Sequence, residues 1–169
     1  MTNTDYIIRE IEPRDNNQIK TIVQQVILEM GAPKVGTAYE DEALEDMYTT
    51  YQKDYSVYFV VESNGVVLGG GGVSQLDGFD KDTCELQKMY FKPELRGLGF
   101  GKKLIERCLG FAVQQGFENC YLETLPNMTA AQKLYRLNGF EYINTRMGAT
   151  GHTSCDVFMA KKLHQSELR

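Results

Sequence analysis

The sequence has 169 residues, 42% hydrophobic and 24% charged, with a formal net charge of -5. That length and apolar content suit one compact domain spanning the chain, and the acid excess argues against nucleic acid as a partner. No apolar run reaches the roughly 20 residues of a membrane span, and Met1 to Tyr6 lacks the parts of a secretory leader, so a cytoplasmic protein without a membrane partner is expected.

A first strand is expected over Tyr6 to Glu12. A helix follows from Asp15 to Met30, where Ile19, Ile22, Val23, Val26 and Ile27 recur at helical spacing and Gly31 is the stop. Ala32 to Tyr39 reads as a loop and Glu42 to Lys53 as a second helix. Val57 to Glu62, rich in strand formers, runs through the hairpin signal Asn64-Gly65 into Val66 to Ser74. Gly69 to Gly72 interrupt that strand, which marks either a bulge or the close approach of another backbone. A third strand, Cys84 to Phe91, stops before Pro93. The helix Gly99 to Gln115 buries Leu104, Ile105, Cys108, Leu109, Ala112 and Val113. Strand Asn119 to Thr124, helix Thr129 to Asn138 with Gly139 as its stop, and strands Phe140 to Met147 and Asp156 to Leu163 complete the chain. Hairpins in the middle and at the end, with crossover helices between them, predict an α+β fold: a mixed sheet with helices on its faces.

Cys84, Cys108, Cys120 and Cys155 form no Cys-x-x-Cys pair, so free thiols are expected. His152 and Cys155 have a ligand-like spacing, but the chain offers no second ligand pair, and no metal is expected.

The richest signal is Arg96-Gly97-Leu98-Gly99-Phe100-Gly101-Lys102-Lys103, which joins a strand to a helix. The first amides of a helix lack internal partners and carry partial positive charge. Glycines let those amides approach an anion, and Arg96, Lys102 and Lys103 add charge, so the turn can seat a phosphate or pyrophosphate. Dinucleotide spacing fails, because Lys102 or Leu104 stands where its last glycine belongs. The P-loop fails because Arg96 and Lys103 occupy its glycine and its Ser or Thr.

With these residues the chain resembles the GNAT N-acetyltransferase superfamily. Arg96, Gly99 and Gly101 match its Arg/Gln-x-x-Gly-x-Gly/Ala signature, Glu85 to Pro93 resembles its central strand, and Ala131 to Phe140 its Ala-x-x-Leu-Tyr-x-x-x-Gly-Phe segment. The closing Val157 to Leu163 resembles its last strand. The resemblance implies a splayed, mostly antiparallel mixed sheet of about seven strands with acetyl-CoA wedged between two of them and no metal. Pantetheine would pair with the backbone of Met89, Tyr90 and Phe91. The pyrophosphate would take the amides of Gly97 to Lys102, Leu98 and Phe100 included. Many members carry Asn where Met128 stands; Asn127, one residue earlier, either reaches pantetheine or caps the helix. A homodimer is common in the family.

The resemblance further implies that an acceptor amine, on a small molecule or a peptide, attacks the thioester directly. A lysine-type amine with pKa near 10.4 costs about 4.6 kcal/mol to deprotonate at pH 7, so a carboxylate base is expected. Glu123 resembles the base of bacterial ribosomal-protein N-terminal acetyltransferases, and Glu85 lies where histone acetyltransferases of the superfamily use a glutamate. Tyr135 is expected as the general acid, against the alternative of a packing tyrosine. A non-catalytic acyl-CoA sensor is the competing reading of the whole chain.

Overall fold

The computed structural model describes residues 5–168. Seven strands form one open sheet in the order β1-β2-β3-β4-β5-β7-β6. They are β1 (Tyr6–Glu10), β2 (Val57–Ser63), β3 (Val66–Gln75), β4 (Thr83–Phe91), β5 (Asn119–Thr124), β6 (Glu141–Ile143) and β7 (Val157–Lys162). Every neighbouring pair is antiparallel except β4 and β5, which are joined by a crossover helix.

The helices are α1 (Asn16–Glu29), α2 (Met47–Thr50), α3 (Phe100–Gln114) and α4 (Thr129–Leu137). They cover both faces, and β2 shows why its run is apolar throughout. Val57, Phe59 and Val61 point into the core beneath α3, whereas Tyr58 and Val60 point into the core beneath α1. The predicted stripe of α1 is buried as expected, from Ile19 to Ile27.

Two elements depart from their predicted spans. Glu42 to Lys53 is a 3-10 turn, Glu42–Glu45, followed by the single turn α2. Asp46 breaks the run: at φ −150° it leaves the helical region, and its carboxylate accepts from the Thr49 amide at 3.0 Å. The strand expected over Phe140 to Met147 stops at Ile143. Arg146 instead turns inward, donating to the carbonyls of His152 and Cys155 at 2.9 and 3.1 Å, which holds residues 144–156 as a loop.

The glycine run in β3 marks close approach, with the bulge on the strand opposite. A Cβ at Gly70 would sit 2.6 Å from Tyr58 Cε1, and one at Gly71 2.7 Å from Met89 Cε. Gly70 pairs with Tyr90 and Gly72 with Gln87, so Lys88 and Met89 together oppose Gly71. Lys88 takes φ +49°, a left-handed conformation that non-glycine residues rarely adopt, and the Tyr58 hydroxyl donates to its carbonyl at 2.7 Å.

Candidate active site

β4 and β5 pair only from Thr83 to Glu85 and from Asn119 to Tyr121. Beyond that they part, and a cleft of about 500 Å³ opens, walled by Met89, Tyr90 and Phe91 of β4, by Val26 of α1 and Met30 just past its end, and by the start of α4. The glycine turn closes one end, with Gly97, Gly99, Phe100, Gly101 and Lys102 all in the wall. Gly97 and Gly99 have φ of +76° and +86°, and a Cβ on either would meet nothing within 4 Å. Glycine is therefore demanded by backbone conformation, and the turn stays open to the cleft. The helical ladder of α3 starts with the Lys103 amide bonding Gly99 at 3.3 Å, which leaves the amides before it without helical partners. Lys102 is 67% exposed and only 3.8 Å from Glu106, a loose pair that adds positive charge at this pole. The geometry fits an anion with an apolar tail behind it.

Three of the residues expected to meet the cofactor also have structural ties or exposed side chains. Arg96 lines the cleft, but its guanidinium grips Glu29 of α1 at 2.6 and 3.0 Å and the Phe91 carbonyl at 2.9 and 3.1 Å. It clamps the walls together instead of presenting a free fork. Leu98 is half exposed and stands outside the wall. Asn127 lines the cleft without capping α4; its side-chain amide donates to the Met30 carbonyl, a second tie to α1.

A smaller cavity of about 40 Å³ adjoins the cleft, and Met89, Tyr90, Met128 and Tyr135 line both. Glu85, Glu123 and His152 face it. Every buried side-chain polar atom among the described residues has a hydrogen-bond partner. Tyr135, 7% exposed, has no such partner for its hydroxyl among them, so that hydroxyl is open where the two spaces meet. Burial pushes its phenol well above the ordinary range, so it stays protonated.

The two glutamates differ in their surroundings. The Glu123 side chain is 1% exposed and fully engaged. It accepts from Tyr121 at 2.6 Å, from Arg146 at 3.2 Å and from the Thr150 hydroxyl. Glu85 is also buried, but it accepts one side-chain bond, from Gln87 at 2.6 Å. Burial raises its carboxyl to about 6; the Gln87 bond and the charges of His152 and Lys88 pull the other way, and Glu123 adds to the rise.

Around them lies a charge cluster that sequence reasoning missed. Asp41 meets Lys88 at 2.8 Å and His152 at 2.9 Å, joining loop 36–46 and loop 144–156 to the β4 bulge. Burial opposes the Asp41 charge, yet these two partners outweigh it and hold the carboxyl below its usual value. Asp41 and His152 stand 111 residues apart, so no local pattern announced them. Cys155 also reaches the cavity, but burial raises its thiol to about 12, which leaves it unsuited to act as a nucleophile.

Comparison with known proteins agrees with this geometry. The family described as "Acetyltransferase (GNAT) family" matches residues 25–140. The uncharacterized N-acetyltransferase YjgM of Escherichia coli (strain K12) is 40% identical over 158 residues, 93% of this chain and 95% of its own. Among solved structures, a GNAT-family acetyltransferase of Staphylococcus aureus Mu50 superposes with a TM-score of 0.81 at 20% identity, covering 95% of this chain and 100% of its own. The PaiA N-acetyltransferase of Thermoplasma acidophilum, solved in complex with coenzyme A, gives 0.71 at 18% identity, with 94% and 99% covered.

Proposed function

Because this chain belongs to the acetyltransferase (GNAT) family, we propose that it acetylates a primary amine, with acetyl-CoA in the large cleft and the amine in the small cavity. The observation that carries this reading is the parting of β4 and β5. It opens two adjoining spaces that share Met89, Tyr90, Met128 and Tyr135, with an anion seat at the far end of one and two buried carboxylates facing the other.

Acetyl-CoA supplies the thioester carbonyl and a thiolate leaving group. The amides ahead of Lys103, with Lys102, suit its pyrophosphate, and Val26, Met30, Met89 and Phe91 exclude water from the arm that follows. An entering ammonium meets Glu85, whose carboxylate has no cation bonded to it among the described residues. Glu85 takes the proton, and its rise from 4.5 to about 6 narrows the mismatch with the amine by about 1.5 units. Glu123 anchors Arg146 and loop 144–156 through the bonds it accepts from Tyr121, Arg146 and Thr150. Tyr135, protonated and open to both spaces, gives its proton to the departing thiolate as the C–S bond breaks, and the second proton shed by the acylated nitrogen restores the phenol.

The test mixes the purified protein, acetyl-CoA and a panel of primary amines, and measures free thiol alongside product mass. Amine-dependent thiol release with an acetylated product supports the reading. Tight acetyl-CoA binding without turnover on any amine would favour a sensor instead.

A further inference from the structure

Glu85 is one end of a hydrogen-bonded chain that begins far away in sequence. Tyr51 follows α2 and is buried at 4% exposure. Its phenol donates to Gln87 Oε1 at 2.6 Å, and Gln87 Nε2 donates to Glu85 Oε1 at 2.6 Å. The Tyr51 ring reaches this point across a glycine. Gly72 pairs with Gln87 in the sheet, and a Cβ there would lie 3.1 Å from Tyr51 Cε1. Burial, with smaller contributions from Tyr58 and Glu85, holds the Tyr51 phenol far above its ordinary range, so it remains a donor.

A carboxamide has one donating and one accepting end. While Tyr51 gives its single proton to Oε1, the amino end of Gln87 must face Glu85. The reversed amide would set Oε1 against the carboxyl, an arrangement favoured only when Glu85 is protonated and donates. Tyr51 therefore biases the amide toward the orientation that suits an ionised carboxylate. We infer that Tyr51 is a positioning residue: through Gln87 it holds Glu85 ionised and fixed at the amine cavity. This rests on Glu85 being the proton acceptor proposed above. His152 and Lys88 also favour the ionised form, Glu123 opposes it, and the buried Cys120 lies on the neighbouring strand. All four are untouched when the Tyr51 hydroxyl is removed.

Glu85 can be titrated by carbon NMR in the full-length protein labelled at the glutamate carboxyls, with Glu85→Gln assigning its resonance. Tyr51→Phe should move the midpoint upward by about half a unit to one unit, the worth of one neutral hydrogen bond. Gln87→Met removes both polar ends at similar length, moves it at least as far, and reports on the same chain if Tyr51→Phe loosens α2. The double variant should move no further than Gln87→Met alone. An unchanged or lowered midpoint in Tyr51→Phe or Gln87→Met, or fully additive shifts, overturns the inference. A wild-type turnover rate in Glu85→Gln defeats the base assignment instead, and that failure shows in acetylation and not in the titration.

Discussion

Glu85 and Glu123 reach the same cavity from adjacent strands, and their partners give them different chemistry. Glu85 accepts a single amide bond and has room for an incoming proton donor, whereas the Glu123 oxygens are already taken by an arginine, a tyrosine and a threonine. Glu85→Gln should therefore abolish most amine acetylation, whereas acetyl-CoA affinity measured by calorimetry stays near native. The same substitution should stabilise the fold. The folded carboxyl titrates near 6 and the unfolded one near 4.5, so the cost of burying its charge is absent below the lower value, grows between them and is complete above about pH 6. Urea unfolding at pH 7.5 should show Glu85→Gln more stable by about 1 to 2 kcal/mol; equal or lower stability would contradict the assigned environment. For Tyr135, replacement by Phe removes the hydroxyl and keeps the packing against Phe140, whose ring centroid lies 6.1 Å away. Turnover should fall by about 10²-fold with the melting temperature unchanged. A native rate, with chemistry shown to limit it, would reduce Tyr135 to a packing residue.

Among the elements, the half of β4 that parts from β5 decides the site. Its shape depends on the bulge at Lys88, which depends in turn on Tyr58 lying across the β3 glycines. A Cβ at Gly70 would fall 2.6 Å from the Tyr58 ring and 2.7 Å from the Phe59 carbonyl, and the second of these is backbone that cannot swing aside. Gly70→Ala should cost at least about 2 kcal/mol in urea unfolding, and acetyl-CoA affinity should weaken as the bulge relaxes. An unchanged unfolding midpoint would show that the sheet absorbs the methyl freely. The glycine turn and the succession of strands and helices along the chain were legible because each rests on local chemistry: positive φ, helix start and β-rich runs close in sequence. The charge cluster at the small cavity was not, because Asp41, Lys88, His152 and Arg146 come from a bulge and two loops that only the folded sheet brings together. Arg96 was legible as a cation near the cleft, but its grip on Glu29, 67 residues away, was not.

Across the whole molecule, an arginine held by two carboxylates ties the start of the first helix to the first two strands. Arg9 donates to both Asp15 oxygens at 2.7 and 3.0 Å and to Glu62 at 2.8 Å, and Asp15 is 1% exposed. Burial works against the Asp15 charge, but the Arg9 bonds and the Glu12 amide outweigh it and lower its pKa. A carboxyl depressed in the folded state adds stability above its unfolded pKa of about 3.8, and loses it as pH falls through the lower folded value. Asp15→Asn should lose about 2 kcal/mol at pH 7, the worth of hydrogen bonds to a charged group, and its deficit against the native chain should shrink steadily below pH 4. A deficit that is the same at pH 7 and pH 3 would assign the effect to packing.

A strand built around four successive glycines offers a folding chain almost no structure of its own. In the unfolded ensemble Gly69 to Gly72 sample the widest range of backbone states, and they bring no side chain to a hydrophobic nucleus. The interior of the sheet must then be ordered from outside, with Tyr58, Met89 and Phe91 in place before the run has surfaces to lie against. β3 is thus a late arrival, and substitutions within the run should speed unfolding in stopped-flow experiments while leaving the refolding rate nearly untouched.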